Sequence, residues 1–153
     1  MTQPAIEVQN KDVVRRYWNG KWNERRSEIL DELLTPDVAY HGPSMSMNGR
    51  EEYKQVYNVF RSALHDTRLK IDDLIAEGDK VVSRVSLQCV HGGEFEGLPP
   101  TGREIALDAY TVFRLVDGKI AEEWEIIDEL GMMRQIGMEL TPGQADPCLL
   151  YTS

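Results

Sequence analysis

The sequence predicts an α+β fold, in which helices come first and a run of strands follows. Apolar residues recur at helical spacing in residues 11–18, in the segment that carries Ile29, Leu30, Leu33 and Leu34, and in residues 50–64. Strand patterns cover residues 38–41, 69–77, 80–91, 104–116 and 119–128. Helices followed by strands are typical of α+β proteins, so we expect three main helices on a curved, mostly antiparallel sheet.

Turn and breaker residues separate these elements in order. Asn19-Gly20 ends the first helix, and Pro36 ends the second because the residue before a proline is disfavoured in a helix. Gly42-Pro43 closes the short strand and is followed by a loop at 44–49. The third helix then presents one apolar stripe, formed by Tyr53, Val56, Tyr57, Phe60 and Leu64.

Length and local composition divide the chain into one domain and two ends. At 153 residues the chain is long enough for one core, which we place at residues 10–142. Residues 1–9 show no periodicity and are expected to be a disordered lead-in. We expect 143–153 to be a peripheral tail whose last six residues read like a cloning or library scar.

Charge and cysteine usage exclude several classes of protein. The net charge of -9 argues against nucleic acid as a partner, because binding to phosphates rests on Lys and Arg. No apolar stretch reaches the length of a membrane span and no signal pattern opens the chain, so we expect no membrane partner and a cytoplasmic location. Cys89 and Cys148 lack the spacing of a zinc or redox motif, and no HxH or HExxH occurs. We therefore predict no metal site and no cofactor.

The last two strands predict a hairpin that carries a site. Asp117-Gly118 between alternating segments is a strong hairpin signal. With a three-residue turn and Gly118 in the left-handed region, two sets of side chains share one face. They are Asp108, Tyr110, Val112 and Arg114 on one strand and Ile120, Glu122, Trp124, Ile126 and Asp128 on the other. This face would be an aromatic-lined wall with two carboxylates near one end, which indicates a site.

Several short motifs in this part of the chain resemble a known family. They are Gly93-Glu-Phe-Glu-Gly97, Pro100-Thr-Gly-Arg103, Phe113-Arg114, Asp117-Gly-Lys-Ile120 and Glu122-Glu-Trp124, together with Tyr40-His41-Gly-Pro43 and Gln135-Ile136-Gly137. Their order and spacing resemble the SnoaL-like polyketide cyclase and ester cyclase family of the NTF2-like superfamily, over roughly residues 10–137. The resemblance implies an NTF2-like cone: helices on a strongly curved sheet that encloses a cavity for a small organic ligand.

Three residues are candidates for acid/base catalysis. The resemblance implies an aspartate from a late strand, and it leaves open whether this is Asp128 or Asp108, with Asp128 as first choice. Asp128 alternatively caps the helix that follows, and Asp108 alternatively lies at an edge facing water. His41 ends a strand beside Gly42-Pro43. The resemblance implies a role at the cavity, because members of that family often have a histidine at this position. The alternative is a structural histidine at a turn.

Other residues are predicted to bind the substrate or to have structural roles. Trp124 and Tyr110 flank the candidate carboxylates, and Phe95 lies in a glycine- and proline-rich loop that fits a flap over the cavity. The remaining candidates are His91, Tyr57 and Trp18. Glu123 and Glu125 are interpreted as a solvated charge run, and Glu122 as a partner of Arg114 across the hairpin.

The residues and the resemblance together predict a cofactor-free cyclase that acts on a small carbonyl substrate. A β-dicarbonyl stabilises its own enolate, so one carboxylate with a raised pKa could remove and return the proton of an aldol-type ring closure. The alternatives are a small-molecule-binding protein without catalysis and an epoxide hydrolase-like enzyme, although the strand of Asp108 lacks the Arg-x-Asp arrangement of the latter. We also expect a homodimer that covers the outer face of the sheet.

Overall fold

The computed structural model describes residues 2–143 and shows helices packed on one open sheet of six strands. The helices are α1 (Gln3–Trp18), α2 (Glu28–Leu33), α3 (Arg50–Ala63) and α4 (Glu129–Gln135). The strands are β1 (Leu34–His41), β2 (Ser46–Asn48), β3 (Leu64–Glu77), β4 (Lys80–His91), β5 (Glu104–Val116) and β6 (Lys119–Ile127). The strand order is β2-β1-β6-β5-β4-β3, and only β1 and β6 pair in parallel. The α+β prediction with a mostly antiparallel sheet is confirmed.

Helix α1 begins well before residue 11, where the sequence pattern placed its start. The Thr2 hydroxyl caps it by accepting from the backbone N–H of Ala5, and a proline lies in its first turn. Glu7 then accepts from the backbone N–H of Gly78 at the β3–β4 turn, over 3.0 Å. Residues 3–9 are therefore helical, unlike the predicted lead-in 1–9, because capping and this contact hold a segment that has no apolar stripe of its own.

Between α1 and α2 the chain continues as a π-helical turn over Asn19–Asn23. Gly20, predicted to stop the helix, lies inside this turn against the side chain of Ile29. A Cβ at Gly20 would lie only 2.7 Å from Ile29 Cγ1, so a larger residue would push α2 away. The wider turn brings Lys21 and Trp22 into the interior of the protein.

The hairpin of β5 and β6 forms where the sequence predicted it, with a different turn. Asp117 and Gly118 both have positive φ, at 50° and 76°, which is the signature of a two-residue type I′ turn. Leu115 pairs with Ile120, the register then shifts, and Arg114 pairs with Glu122. Ala121 is therefore an extra residue in β6, a β-bulge.

The bulge decides which side chains of β6 face the helices. Beyond it the pairs are Arg114 with Glu122, Val112 with Trp124 and Tyr110 with Ile126, so the predicted grouping of these side chains on one face is confirmed. Ile120, which was predicted to share that face, is instead fully buried on the helix side. Glu123 and Glu125 also point to the helix side of the sheet.

The core lies between the helices and the inner face of the sheet. On β5 the buried residues alternate with exposed ones, and Phe113 is fully buried. Its ring meets Tyr17 and Trp18 of α1 edge-on, with ring centroids 5.5 and 5.9 Å apart. These contacts dock α1 onto the sheet.

Two further sequence-based expectations concern membrane-spanning segments and the C-terminal tail. Within the described residues, no helix is both long enough and apolar enough to cross a membrane. The predicted tail 143–153 lies, except for Gly143, outside the described residues, and the predicted scar lies wholly outside them.

The docking of α1 gives a first prediction. Phe113→Ala should lower the free energy of unfolding by about 3–5 kcal/mol, because it leaves a cavity beneath two aromatic rings. Asp108→Ala on the outer face of the same strand is the matched control and should change it by less than about 0.5 kcal/mol. Urea denaturation measures both values. Equal losses in the two variants would contradict the assigned faces of β5.

Candidate active site

A cavity of about 110 Å³ lies between the inner face of the sheet and helices α1, α3 and α4. Most of its lining is apolar and comes from β3, β4, β5 and α3. The lining residues with polar or charged groups are Lys21, Tyr40, Tyr53, Tyr57, Glu125 and Glu129, together with the indoles of Trp18 and Trp22. An apolar cavity with a few polar groups suits a small organic molecule.

Glu125 is held in the cavity wall by two hydrogen bonds. Its Oε1 accepts from the hydroxyl of Tyr40 over 2.8 Å, and its Oε2 accepts from the hydroxyl of Thr111 over 3.0 Å. Burial, reinforced by the charge of Glu125, raises the pKa of Tyr40, so its phenol stays protonated as a donor. The carboxylate is thus fixed in orientation while its side chain reaches the cavity.

Glu123 points to the same side of β6 and is completely buried. The Tyr53 hydroxyl donates to its Oε2 over 3.4 Å, and its Oε1 has no hydrogen-bond partner among the described residues. Lys21 donates to the hydroxyls of Tyr17 and Tyr53, over 3.0 and 2.6 Å, and those two phenols are hydrogen-bonded to each other. One buried network therefore joins Lys21 to Glu123.

Burial shifts the ionisation of both ends of this network. Loss of water raises the pKa of Glu123 to about 7, although the charge of Lys21 opposes this shift. Burial likewise lowers the pKa of Lys21, opposed by the charges of Glu123 and Glu125. Each charge therefore favours the charged form of the other, in an interior where an isolated charge would be costly.

The predicted placement of Asp108 and Asp128 in the cavity wall is wrong. Asp108 is exposed on the outer face of β5, because the apolar side of that strand faces the helices. Asp128 is the N-cap of α4, and its carboxylate accepts from the backbone N–H of Gly131 over 2.8 Å. This is the capping alternative that the sequence left open.

His41, Tyr110 and Trp124 also lie outside the cavity. The His41 ring stacks on Trp124 with centroids 5.6 Å apart, and its Nε2 is hydrogen-bonded to Glu122 over 2.7 Å. That hydrogen bond is the main cause of a lowered pKa at Glu122. Tyr110 is 54% exposed on the same outer face. The predicted pairing of Glu122 with Arg114 is present there at 3.2 Å.

The remaining candidates divide between the cavity and the core. Trp18 and Tyr57 line the cavity, and their contact with a substrate stays a prediction. Phe95 is buried behind the lining, against Phe60, with ring centroids 5.4 Å apart. His91 is fully buried; its Nδ1 accepts from the backbone N–H of Thr101, and it is not part of the lining.

The sequence interpretation missed Lys21, Glu123 and Glu125. A signal for the two glutamates was present on β5, where the face with Ile105, Leu107, Ala109, Phe113 and Leu115 is far more apolar than the opposite one. That face must meet the helices, and its partners across the hairpin are Glu123, Glu125 and Ile127. Nothing in the local pattern predicted the π-helical turn that buries Lys21.

The residues described in the structure contain no group of three or more His, Cys, Asp or Glu side chains that could hold a metal ion. The polar groups of the cavity are carboxylate, amine and phenol groups, which are suited to moving protons and to binding oxygen atoms of an organic molecule.

Several known proteins match most of the chain. A family model described as SnoaL-like polyketide cyclase matches residues 12–136. Aklanonic acid methyl ester cyclase DauD of Streptomyces sp. (strain C5) is 31% identical, over 95% of this chain and 89% of that protein. Nogalonic acid methyl ester cyclase of Streptomyces nogalater is 28% identical, over 76% and 89%. Among solved structures, TsrD from Streptomyces laurentii superimposes with a TM-score of 0.76 at 28% identity, covering 85% of this chain and 96% of TsrD.

The ionisation of Glu123 gives a second prediction. The folded protein holds this proton up to about pH 7, whereas the unfolded chain releases it near the ordinary value of 4.5. Between these two pH values the unfolded state binds fewer protons, so Glu123 lowers the stability of the wild type as pH rises. Glu123→Gln removes this loss. The free energy of unfolding of the variant minus that of the wild type should therefore rise by roughly 1–3 kcal/mol from pH 4.5 to 7.5.

Urea denaturation at several pH values measures this difference. Glu104→Gln, at an exposed position of β5, is the matched control for the loss of one carboxylate. The charge of Lys21 is already among the causes of the raised pKa of Glu123, and below about pH 7 Glu123 is neutral in the wild type as it is in the variant. A flat difference for Glu123→Gln would contradict the raised pKa.

Proposed function

Because the chain belongs to the SnoaL-like polyketide cyclase family, we propose that it closes a ring in a small polyketide-type carbonyl substrate, with Glu125 as acid and base. The observation that carries the proposal is the placement of Glu125. Its carboxylate lines an apolar cavity and is oriented by two hydroxyl donors, Tyr40 and Thr111. A carboxylate in such surroundings can take and return one proton.

The proposed reaction is an intramolecular aldol-type addition. Glu125 removes a proton from the carbon between two carbonyl groups of the bound substrate. That carbon then forms a bond to the carbon of another carbonyl group in the same substrate, whose C=O π bond breaks. The resulting alkoxide takes the proton back from Glu125. The reaction needs no oxidant, reductant or cofactor, because the proton that leaves the carbon returns to the alkoxide. The cavity contributes by holding the two reacting carbons close together, which can supply on the order of 7–11 kcal/mol of the barrier for well-oriented groups.

The relatives narrow the proposed substrate class. They are named as cyclases of aklanonic and nogalonic acid methyl esters. We propose a methyl ester of this polyketide type, or a smaller β-dicarbonyl compound, as the substrate. Glu129, the other carboxylate in the lining, accepts from the hydroxyl of Ser44 in an exposed hydrogen bond over 2.8 Å, whereas both hydrogen bonds of Glu125 are partly buried. Glu125 is therefore the better candidate for a base that is shielded from water.

Replacement of Glu125 tests the proposed chemistry. Glu125→Gln keeps the shape and a carbonyl acceptor for Tyr40 or Thr111 but removes the base, so turnover should fall by roughly 10²–10⁴-fold. Formation of the cyclised methyl ester, followed by chromatography, measures it. Glu129→Gln is the matched control in the cavity and Asp128→Asn the control at the cap, where asparagine also caps well. Both should keep turnover within a few-fold of the wild type.

The outcome separates the candidate functions. Full turnover in Glu125→Gln would remove this residue from the mechanism, and a large loss in Asp128→Asn would restore the aspartate of the sequence interpretation. Ligand binding without turnover in the wild type would favour the non-catalytic alternative. Hydration of epoxides by the wild type would favour the epoxide hydrolase alternative.

We also propose that a second copy of the chain covers the outer face of the sheet. This face exposes Val82, Tyr110, Trp124 and Ile126, and Ile126 is 64% exposed. Two arginines of this face are paired within the chain, Arg84 with Asp73 at 2.6 Å and Arg114 with Glu122 at 3.2 Å. Burial of the exposed apolar side chains between two copies favours self-association through this face.

Light scattering at micromolar concentration tests the dimer. The wild type should have twice the mass of the chain, and Ile126→Glu should give a monomer because it buries four carboxylate oxygens in an apolar contact around the two-fold axis. Val59→Glu is the matched control, since Val59 is 60% exposed on α3, away from the sheet face. A wild-type monomer, or the same effect from both variants, would contradict this interface.

A further inference from the structure

Lys21 is a buried lysine in the cavity lining that the proposed proton transfer does not use. Its side chain extends from the π-helical turn, and the residue is 8% exposed. Nζ donates to the phenol oxygens of Tyr17 and Tyr53. These contacts account for two of the three N–H groups of an ammonium, so one donor remains for a molecule in the cavity.

Burial lowers the pKa of Lys21, whereas the aromatic rings and the carboxylates around Nζ favour its charged form. Aromatic rings lie around it at 4.9–5.9 Å from Nζ to the ring centroid: Tyr17, Trp18, Trp22, Tyr53 and Tyr57. Each ring face attracts a cation. The counter-charge of Glu123 reaches Lys21 through the Tyr53 hydroxyl, and no direct ion pair of Lys21 is present among the described residues.

We propose that the Lys21 ammonium binds the enolate oxygen of the substrate, and that the cavity is therefore a site for planar oxyanions such as β-dicarbonyl enolates. This inference rests on the proposed function. Glu125 and Lys21 line one cavity and act on different atoms: Glu125 takes the carbon-bound proton, and the negative charge that develops on the carbonyl oxygen meets Lys21. Lys21 keeps its own protons throughout and contributes by stabilising charge where it appears.

The network behind Lys21 sets how strongly it attracts an anion. The ionisable groups facing Nζ are Tyr17 of α1, Tyr53 and Tyr57 of α3, and Glu123 and Glu125 of β6. Burial raises the pKa of each of the three phenols, so they stay neutral. The pKa of Glu123 is about 7, so its charge offsets that of Lys21 above neutral pH and disappears below it.

Binding of an enolisable probe tests the site without requiring turnover. The probe is 1-phenylbutane-1,3-dione, whose enolate and enol forms differ in near-ultraviolet absorbance. Absorbance titration with protein in excess gives the pKa of the bound probe. In Glu125→Gln, which lacks the proposed base, the bound probe should titrate at least about one pKa unit below the free probe, because Lys21 stabilises its anion.

Removal of Lys21 should abolish this shift. Lys21→Met alone would leave Glu123 buried without its counter-charge, so it is combined with Glu123→Gln, since replacing both members of a buried pair is often close to neutral for stability. In the Glu125→Gln background this double change should return the pKa of the bound probe to the free value. Lys70→Met is the matched control; the Lys70 side chain is 81% exposed, and the shift should persist.

Glu123→Gln by itself provides a second measurement that keeps Lys21 in place. In this variant the bound enolate replaces Glu123 as the counter-charge that favours the ammonium form of Lys21, so the variant should bind the enolate roughly tenfold more tightly than the wild type at pH 8 and about equally at pH 6. A role of Lys21 limited to holding the fold would not produce this pH dependence.

The possible results distinguish this inference from the proposed function. A persistent shift after loss of Lys21 overturns the inference, and so does an adduct on Lys21 trapped by borohydride, which would show an amine nucleophile instead of an ammonium. If Glu125→Gln has also lost turnover, the proposed function still stands in either case. Conversely, a shift that depends on Lys21 together with full turnover in Glu125→Gln supports the oxyanion site and contradicts the proposed acid/base.

Discussion

Ala121 is an extra residue in β6, inserted where the pairing with β5 passes from Leu115 to Arg114. Because side chains alternate along a strand, one inserted residue exchanges the inner and outer faces of everything that follows it. Ile120 before the bulge and Glu123 and Glu125 after it consequently all face the helices. A regular strand in the same place would point Trp124 into the core and both glutamates into water. The inward position of both glutamates depends on this single irregularity.

Burial of charge is the second constraint on the site. Glu123 and Lys21 come from β6 and from the π-helical turn, which are distant in sequence, and the phenols of Tyr17 and Tyr53 bridge them. An isolated charge in this interior would be strongly destabilising, whereas a connected network shares the cost among several hydrogen bonds. The network lies directly behind the cavity, so the same contacts that make the burial tolerable also hold an ammonium at its wall.

The outer face of the hairpin carries surface contacts and exposed apolar side chains instead of a buried network. There His41 stacks on Trp124, Glu122 contacts both His41 and Arg114, and Tyr110 and Ile126 are exposed. Since the two faces of β5 and β6 share a backbone but not side chains, a change on one face need not alter the chemistry on the other. The proposed reaction and the proposed assembly therefore use opposite sides of the same two strands.

The sequence by itself determined the α+β class, the order of most elements, the hairpin at Asp117-Gly118 and the family, because these depend on local periodicity, turn residues and motif spacing. It also grouped Tyr110, Val112 and Arg114 with Glu122, Trp124 and Ile126 correctly. Only the tertiary structure decided that this group lies outside the core. The bulge at Ala121 and the π-helical turn around Lys21 are local departures from regular geometry that are stabilised by packing between distant segments, so no periodic pattern predicts them. The sequence around Asp128 suits a helix N-cap and a catalytic acid equally well. In the structure its carboxylate accepts a hydrogen bond from the backbone N–H of Gly131, so it is the cap.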